Sequence, residues 1–211
     1  MGRTVMFLGV DGEVAGLIAL ADTLKPGAKD TLQQFHRMGI ETVMLTGDSK
    51  RTAVAIAREA GIDRVLAEVL PEHKAQEVKK LQEEGKVVAM VGDGINDAPA
   101  LTQANVGIAI GVGADIAIEA GDIMLVKNDL RDVVRALELS KLTYRKIKQN
   151  LSWAFIYNVL MIPLAAGAFY PNVHLMLRPE LSATAMIFSD VSVVSSSLLM
   201  KRYERRLRDI I

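Results

Sequence analysis

The chain has 211 residues, enough for one ordinary domain with a further segment, and its 25 basic residues balance 25 acidic ones. That balance gives no nucleic-acid footprint, and the absence of cysteine excludes a disulfide framework and a cysteine-based zinc site. The first residues, Met1 to Val5, contain no long apolar run, so a cleaved signal peptide is not expected.

In chain order, Thr4 to Val10 and Val14 to Ala19 read as two strands around Asp11-Gly12, a favoured hairpin pair. Pro26 opens a helix that runs to about Met38 and stops at Gly39. Glu41 to Leu45 is a strand, followed by Thr46-Gly47-Asp48 and a helix from Lys50 to Ala60. Arg64 to Ala67 is a short strand, Glu72 to Glu84 a charged amphipathic helix, and Lys86 to Val91 an apolar strand. That strand leads into Gly92-Asp93-Gly94 and a short helix from Asn96; Val106 to Ile110 and Asp122 to Val126 are further strands. Strands alternating with helices at this spacing predict a parallel, doubly wound sheet with its ligand site at the carboxyl ends of the strands.

The rest of the chain changes character. Leu130 to Asn150 reads as a long helix with a basic end (Lys141, Arg145, Lys146, Lys148), running into an uncharged stretch from Leu151 to Phe169. From Leu151 to Met200 only Arg178, Glu180 and Asp190 are ionised near neutral pH. The stretches 151–169 and 181–200 each match a bilayer core of roughly 30 Å. Basic residues precede the first, and Lys201, Arg202, Arg205, Arg206 and Arg208 follow the second, whereas the connecting loop carries only Arg178. The positive-inside rule then predicts a transmembrane hairpin with both ends and the α/β domain cytoplasmic. The alternative is a pair of buried helices in a soluble protein. Trp153, Tyr157 and Tyr170 are candidate interfacial anchors.

Three places carry chemistry. A hydroxyl and backbone N–H groups at Thr46-Gly47-Asp48 suit phosphate oxygens, although helix capping explains the same triplet. In Gly92-Asp93-Gly94-Ile95-Asn96-Asp97-Ala98-Pro99-Ala100-Leu101 two carboxylates stand four apart after a strand. Such hard oxygen ligands suit Mg²⁺, and a capped turn is the alternative. Lys74, at the start of a helix between these elements, is either a solvated lysine or the cation that offsets remaining phosphate charge.

Together Thr46-Gly47-Asp48, Lys74 in Leu70-Pro71-Glu72-His73-Lys74, and the ten-residue stretch from Gly92 resemble the second, third and fourth motifs of the P-type ATPase phosphorylation domain. That domain is a branch of the haloacid-dehalogenase-like superfamily. Leu17-Ile18-Ala19-Leu20-Ala21-Asp22, Gly121-Asp122-Ile123-Met124-Leu125 and Ile147-Lys148-Gln149-Asn150 resemble the heavy-metal branch, copper exporters especially. The resemblance covers essentially the whole chain. It implies an α/β, partial doubly wound phosphorylation domain over 1–140. A membrane region follows over 141–211, with helices at about 151–169 and 181–200 and a basic cytoplasmic tail. It implies a part in ATP-driven export of copper or another heavy metal. By this resemblance Thr46, with Gly47 and Asp48, would bind the aspartyl phosphate and Lys74 would neutralise it. Asp93 would ligate Mg²⁺, with Asp97 and Asn96 helping to hold that site and Gly94 supporting it.

By the same resemblance Tyr157-Asn158 and Met186 mark the path of the transported metal, and a thioether suits Cu(I). Where copper exporters carry a serine this chain has Asp190, a costly charge within a membrane helix, and zinc-type pumps use an aspartate in this helix. The implied cofactors are Mg²⁺ and ATP, with Cu(+) or another heavy-metal ion as cargo. The implied setting is a multi-pass cell-membrane protein in contact with lipid, with no nucleic-acid partner. One departure is large. The family's Asp-Lys-Thr-Gly-Thr stretch, whose aspartate is phosphorylated, is absent, and so is any Asp-x-Asp pair. Asp11 reads as a turn residue, not a substitute. The nucleotide-binding domain, actuator domain, earlier membrane helices and Cys-Pro-Cys motif are absent too. The expectation is therefore an N-terminally truncated pump portion, inactive alone. The alternatives are a non-catalytic, membrane-anchored remnant or regulatory partner and, more remotely, a haloacid-dehalogenase-like phosphatase.

Overall fold

The computed structural model describes residues 4–20, 23–92, 95–111, 121–167 and 179–199. The chain divides into two units, Met1–Val134 and Arg135–Ile211. In the first, strands β1 (Thr4–Val10) and β2 (Glu13–Leu20) form an antiparallel hairpin. Val10 faces Glu13, so the loop is the two residues Asp11 and Gly12, with φ of 50° and 85°. Positive φ at both positions is the geometry that matches strand twist and that Asp-Gly supplies. Apolar side chains at consecutive positions of β1 stay open, Phe7 at 71 % exposure. Two strands alone are marginally stable, and no described strand extends this pair.

Next come α1 (Ala28–Arg37), β3 (Val43–Leu45), α2 (Lys50–Ala60), β4 (Arg64–Leu66) and α3 (Lys74–Glu83). They are followed by β5 (Ala89–Gly92), α4 (Ala98–Gln103), β6 (Val106–Ile110) and β7 (Ile123–Leu125). Helix α2 shows how the sequence sets its own limits. Ser49 Oγ accepts from the Thr52 N–H, and Gly61 ends the helix at φ 83°. Its small face, Ala53, Ala57 and Ala60, is fully buried and lets the helix lie close to its neighbours. Val78 and Leu81 of α3, Leu101 of α4 and Ile108 of β6 are also buried, as are Phe35 of α1, Val133 and Val134. As the middle strand of its sheet, β6 is buried continuously from Gly107 to Ile110, as expected of a parallel strand covered on both faces.

The parallel strands expected in one sheet lie in two blocks. β3 pairs with β4, and β5, β6 and β7 pair in that order, all parallel. β3 and β5 each have a single described hydrogen-bonded neighbour. The alternation of strands and helices was legible.

In the second unit lie the greater part of α5 (Arg131–Ala165), a continuous helix of 35 residues, and α6 (Pro179–Leu198). No breaker stands at the change from polar to apolar sequence at Leu151, so the helix runs through it. Among the described residues, no helix is long and apolar enough to cross a membrane. The expected hairpin loop, 170–180, lies largely outside the described residues, as does the basic tail after residue 199.

Candidate functional site

The first element is the loop after β3. Thr46 Oγ1 donates to Asp48 Oδ2 at 2.9 Å and accepts from the Asp48 N–H at 3.1 Å, which folds Thr46-Gly47-Asp48 into a tight polar turn. The loop after β4 braces it. The Val69 N–H donates to the Thr46 carbonyl, the Glu68 N–H to the Asp48 carbonyl, and Glu68 Oε1 accepts from the Lys50 N–H at 3.2 Å. Glu68 takes a left-handed φ of 59° to do this, an uncommon conformation for a residue with a side chain.

The second element follows at once. Pro71–His73 forms a 3-10 turn that packs against the 3-10 turn Ile95–Asp97, and α3 begins with Lys74. Lys74 Nζ donates to Asp97 Oδ1 at 2.7 Å, and the two side chains are only 17 % and 14 % exposed. Such a pair is screened less by water and salt than one on the surface. Gly92 makes room for it. A Cβ there would stand 2.8 Å from Asp97 Cβ and 2.9 Å from its Oδ2, so only glycine lets the carboxylate lie against the end of β5.

Of the expected residues, Thr46, Gly47 and Asp48 are tied to residues 68–69, and five residues on in the chain Lys74 meets Asp97. Asn96 is exposed in the same turn as Asp97. Asp93 and Gly94 lie outside the described residues. Sequence reading missed the Lys74–Asp97 pair, since residues 23 apart carry no local signal, and the brace at Glu68. Gly92, first of the ten-residue stretch, was the one available hint of close packing. Among the described residues, no group of three or more His, Cys, Asp or Glu is placed to hold a metal.

Nearby but separate, Asp63 joins the end of α1 to β3. Its Oδ2 accepts from the Thr42 N–H at 2.7 Å and Thr42 Oγ1 at 2.9 Å, with His36 Nε2 at 3.0 Å. These bonds, the Thr42 backbone N–H foremost, hold the Asp63 carboxyl below its ordinary value.

In the second unit a cavity of about 220 Å³ is lined by Asn150, Trp153, Tyr157, Ser192, Val193 and Ser196. Asn150 Nδ2 donates to Ser197 Oγ at 2.9 Å, joining α5 to α6. Of the residues expected on a metal path, Tyr157 lines this cavity. Asn158 and Asp190 are exposed and are not among its lining residues, Asn158 donating to the Ala154 carbonyl at 2.9 Å. Met186 falls in α6 with its side chain outside the described residues.

Comparison with known proteins places this geometry. Residues 2–105 match the family described as haloacid dehalogenase-like hydrolase. The chain is 54 % identical over 206 residues to a probable copper-exporting P-type ATPase of Archaeoglobus fulgidus, covering 98 % of this chain and 26 % of that protein. It is 53 % identical over 208 residues to copper-transporting ATPase 1 of Mus musculus, covering 99 % of this chain and 14 % of the relative. The chain therefore spans about a quarter or less of the length of these relatives. A crystal structure of a zinc-transporting PIB-type ATPase in its E2.Pi state superposes with a TM-score of 0.80 at 37 % identity, over 93 % of this chain and 31 % of that one. The protein carries a haloacid dehalogenase-like domain and, over nearly its whole length, is homologous to one part of the copper-transporting P-type ATPases.

Proposed function

We propose that this chain is the C-terminal portion of an ATP-driven copper or heavy-metal exporter, supplying phosphate and Mg²⁺ binding and part of the membrane path of the metal. The observation that carries the reading is the Lys74–Asp97 pair, five residues on in the chain from the loop that braces the Thr46–Asp48 turn, within sequence more than half identical to a copper-exporting ATPase. Thr46 and the N–H groups of its turn hold phosphate oxygens of an aspartyl phosphate, and Lys74 offsets their charge. Lys74 first has to share or leave Asp97. The exchange of one carboxylate for a phosphate oxygen keeps the ammonium paired throughout. The donor set fits Mg²⁺ in kind: Asp97 and Asp93 are hard oxygen ligands, and this ion commonly takes one or two carboxylates with phosphate and water. When bound, the ion supplies charge neutralisation on the phosphoryl oxygens. The nucleophilic aspartate comes from a segment outside this sequence, along with the nucleotide-binding and actuator domains and the earlier membrane helices.

The membrane reading rests on chemistry. Phe155, Val159, Leu160 and Ile162 are each more than 60 % exposed on α5, as are Ile187 and Phe188 on α6. Unpaired apolar surface of that extent needs a lipid or protein cover. With the basic residues at both flanks, it supports a two-helix hairpin with the α/β domain and both termini cytoplasmic. Tyr157, Asn158, Met186 and Asp190 line the metal path in this reading. Asp190 in place of serine favours a harder ion than Cu(I), so Asp190→Ser in a complete pump moves metal-stimulated turnover toward Cu(I); an unchanged metal profile refutes that role. The reading as a whole is tested by ATP hydrolysis. The purified chain shows none, because the covalent step has no nucleophile. Mg²⁺-dependent hydrolysis that Asp93→Ala abolishes would overturn it. A remnant or regulatory partner also fits the missing aspartate, and complementation with an N-terminal piece separates the two.

A further inference from the structure

One face of α5 is cationic for two turns and apolar for about the next three. Lys141, Arg145 and Lys148 follow one another at spacings of four and three, so they share a stripe of the helix. All three are exposed, and among the described residues none forms an ion pair. The nearest acid on that stripe is Glu138, at the end away from the apolar sequence. Lys148 Nζ sits 5.0 Å from the ring centroid of Tyr144, which belongs to the same stripe and is 61 % exposed. Beyond Lys148 the stripe continues as Leu151, Phe155, Val159 and Ile162, between 55 % and 65 % exposed. At 1.5 Å per residue, Lys148 to Ile162 is about 21 Å. That exceeds the depth of one leaflet, half of a core of roughly 30 Å.

We propose that this stripe is a binding site for an anionic phospholipid, with the headgroup phosphate against Arg145 and Lys148 and an acyl chain along Leu151 to Ile162. The site rests on the membrane reading of α5 and adds to it a choice of lipid. Arginine and lysine with no carboxylate partner take a phosphate as their counter-ion. The order of charge and apolar surface along the stripe is the order of headgroup and chain in one lipid molecule. Tyr144 carries an amphipathic ring suited to the headgroup level.

The test uses the full chain reconstituted in phosphatidylcholine vesicles, with the tryptophan moved onto the stripe by Trp153→Phe with Phe155→Trp. Quenching of that tryptophan is measured with chain-brominated phosphatidylglycerol and, separately, chain-brominated phosphatidylcholine at equal mole fraction. Phosphatidylglycerol is expected to be preferred by at least about fivefold, the effect of about 1 kcal/mol for one basic residue at an anionic surface. Arg145→Gln with Lys148→Gln brings the preference to unity, whereas exchanging Arg145→Lys and Lys148→Arg keeps it. Equal quenching by the two lipids overturns the site and leaves the membrane reading standing. Absence of quenching by either lipid refutes the membrane reading itself. A preference that survives the double glutamine variant places the lipid elsewhere and overturns the assignment. Inorganic phosphate added at matched ionic strength leaves the preference intact; its loss would mean that the cations hold free anions, not lipid.

Discussion

Replacing Gly92 by alanine probes the contact on which the Lys74–Asp97 pair depends. The added Cβ would lie 2.8 Å from Asp97 Cβ, 2.9 Å from Oδ2 and 3.0 Å from Cγ. Carbon atoms at rest stand about 3.5–4.0 Å apart, so three atoms of one side chain must retreat together. Overpacking of this kind costs about 1–3 kcal/mol. The retreat also draws Oδ1 away from Lys74 Nζ, which it now meets at 2.7 Å with both side chains mostly covered. Losing the pair adds about 1 kcal/mol or more, below the 3–5 kcal/mol of a fully buried pair because both groups keep some contact with water. A total of about 2–4 kcal/mol follows. Urea unfolding of the full chain, followed by circular dichroism, measures it, and hydrogen exchange of residues 89–103 locates it. A double-mutant cycle with Asp97→Gly isolates the clash, since that background removes the atoms the methyl group strikes. Gly92→Ala should then cost much less than in the parent. A parent-like stability for Gly92→Ala, or an equal cost in both backgrounds, refutes the reasoning.

Further expectations concern the frame around the site. Asp63 has a lowered carboxyl value, so its bonds to Thr42 and His36 contribute stability above the unfolded value of 3.8 and lose it as pH falls through the folded one. The stability advantage of the parent over Asp63→Asn should therefore shrink below about pH 4 in denaturation midpoints, and an advantage constant from pH 6 to pH 3 contradicts it. Ser49→Ala removes the acceptor for the Thr52 N–H at the start of α2. The expected loss is about 1 kcal/mol, with faster hydrogen exchange in the first turn, and unchanged exchange there speaks against a capping role.

Local structure was legible where neighbouring residues dictate it. Asp11-Gly12 marked the hairpin turn, the helix expected over Lys50 to Ala60 has those limits, and the short helix expected from about Asn96 is found over Ala98–Gln103. What the sequence concealed depends on neighbours distant along the chain. The strand expected over 86–91 is found over 89–92, because Lys86 turns out to pair with Glu41 at 2.6 Å and the Val88 N–H bonds Asn105 Oδ1 instead of a ladder partner. Val87, apolar and 86 % exposed, helped to suggest a strand it does not join. The meeting of Lys74 and Asp97 was hidden for the same reason.

The separation of β3–β4 from β5–β6–β7 bears on the proposed function, in which a nucleophile from another segment arrives at the loops after β3 and β5. The most direct test is to combine this chain in detergent with a separately made N-terminal piece of a related copper pump and to supply labelled ATP. The account predicts an acid-stable phosphoprotein with the label on the N-terminal piece, lost with Lys74→Ala or Asp93→Ala in this chain. No phosphoprotein, with both pieces folded and associated, would contradict it and leave a remnant that keeps the shape of the domain without its reaction.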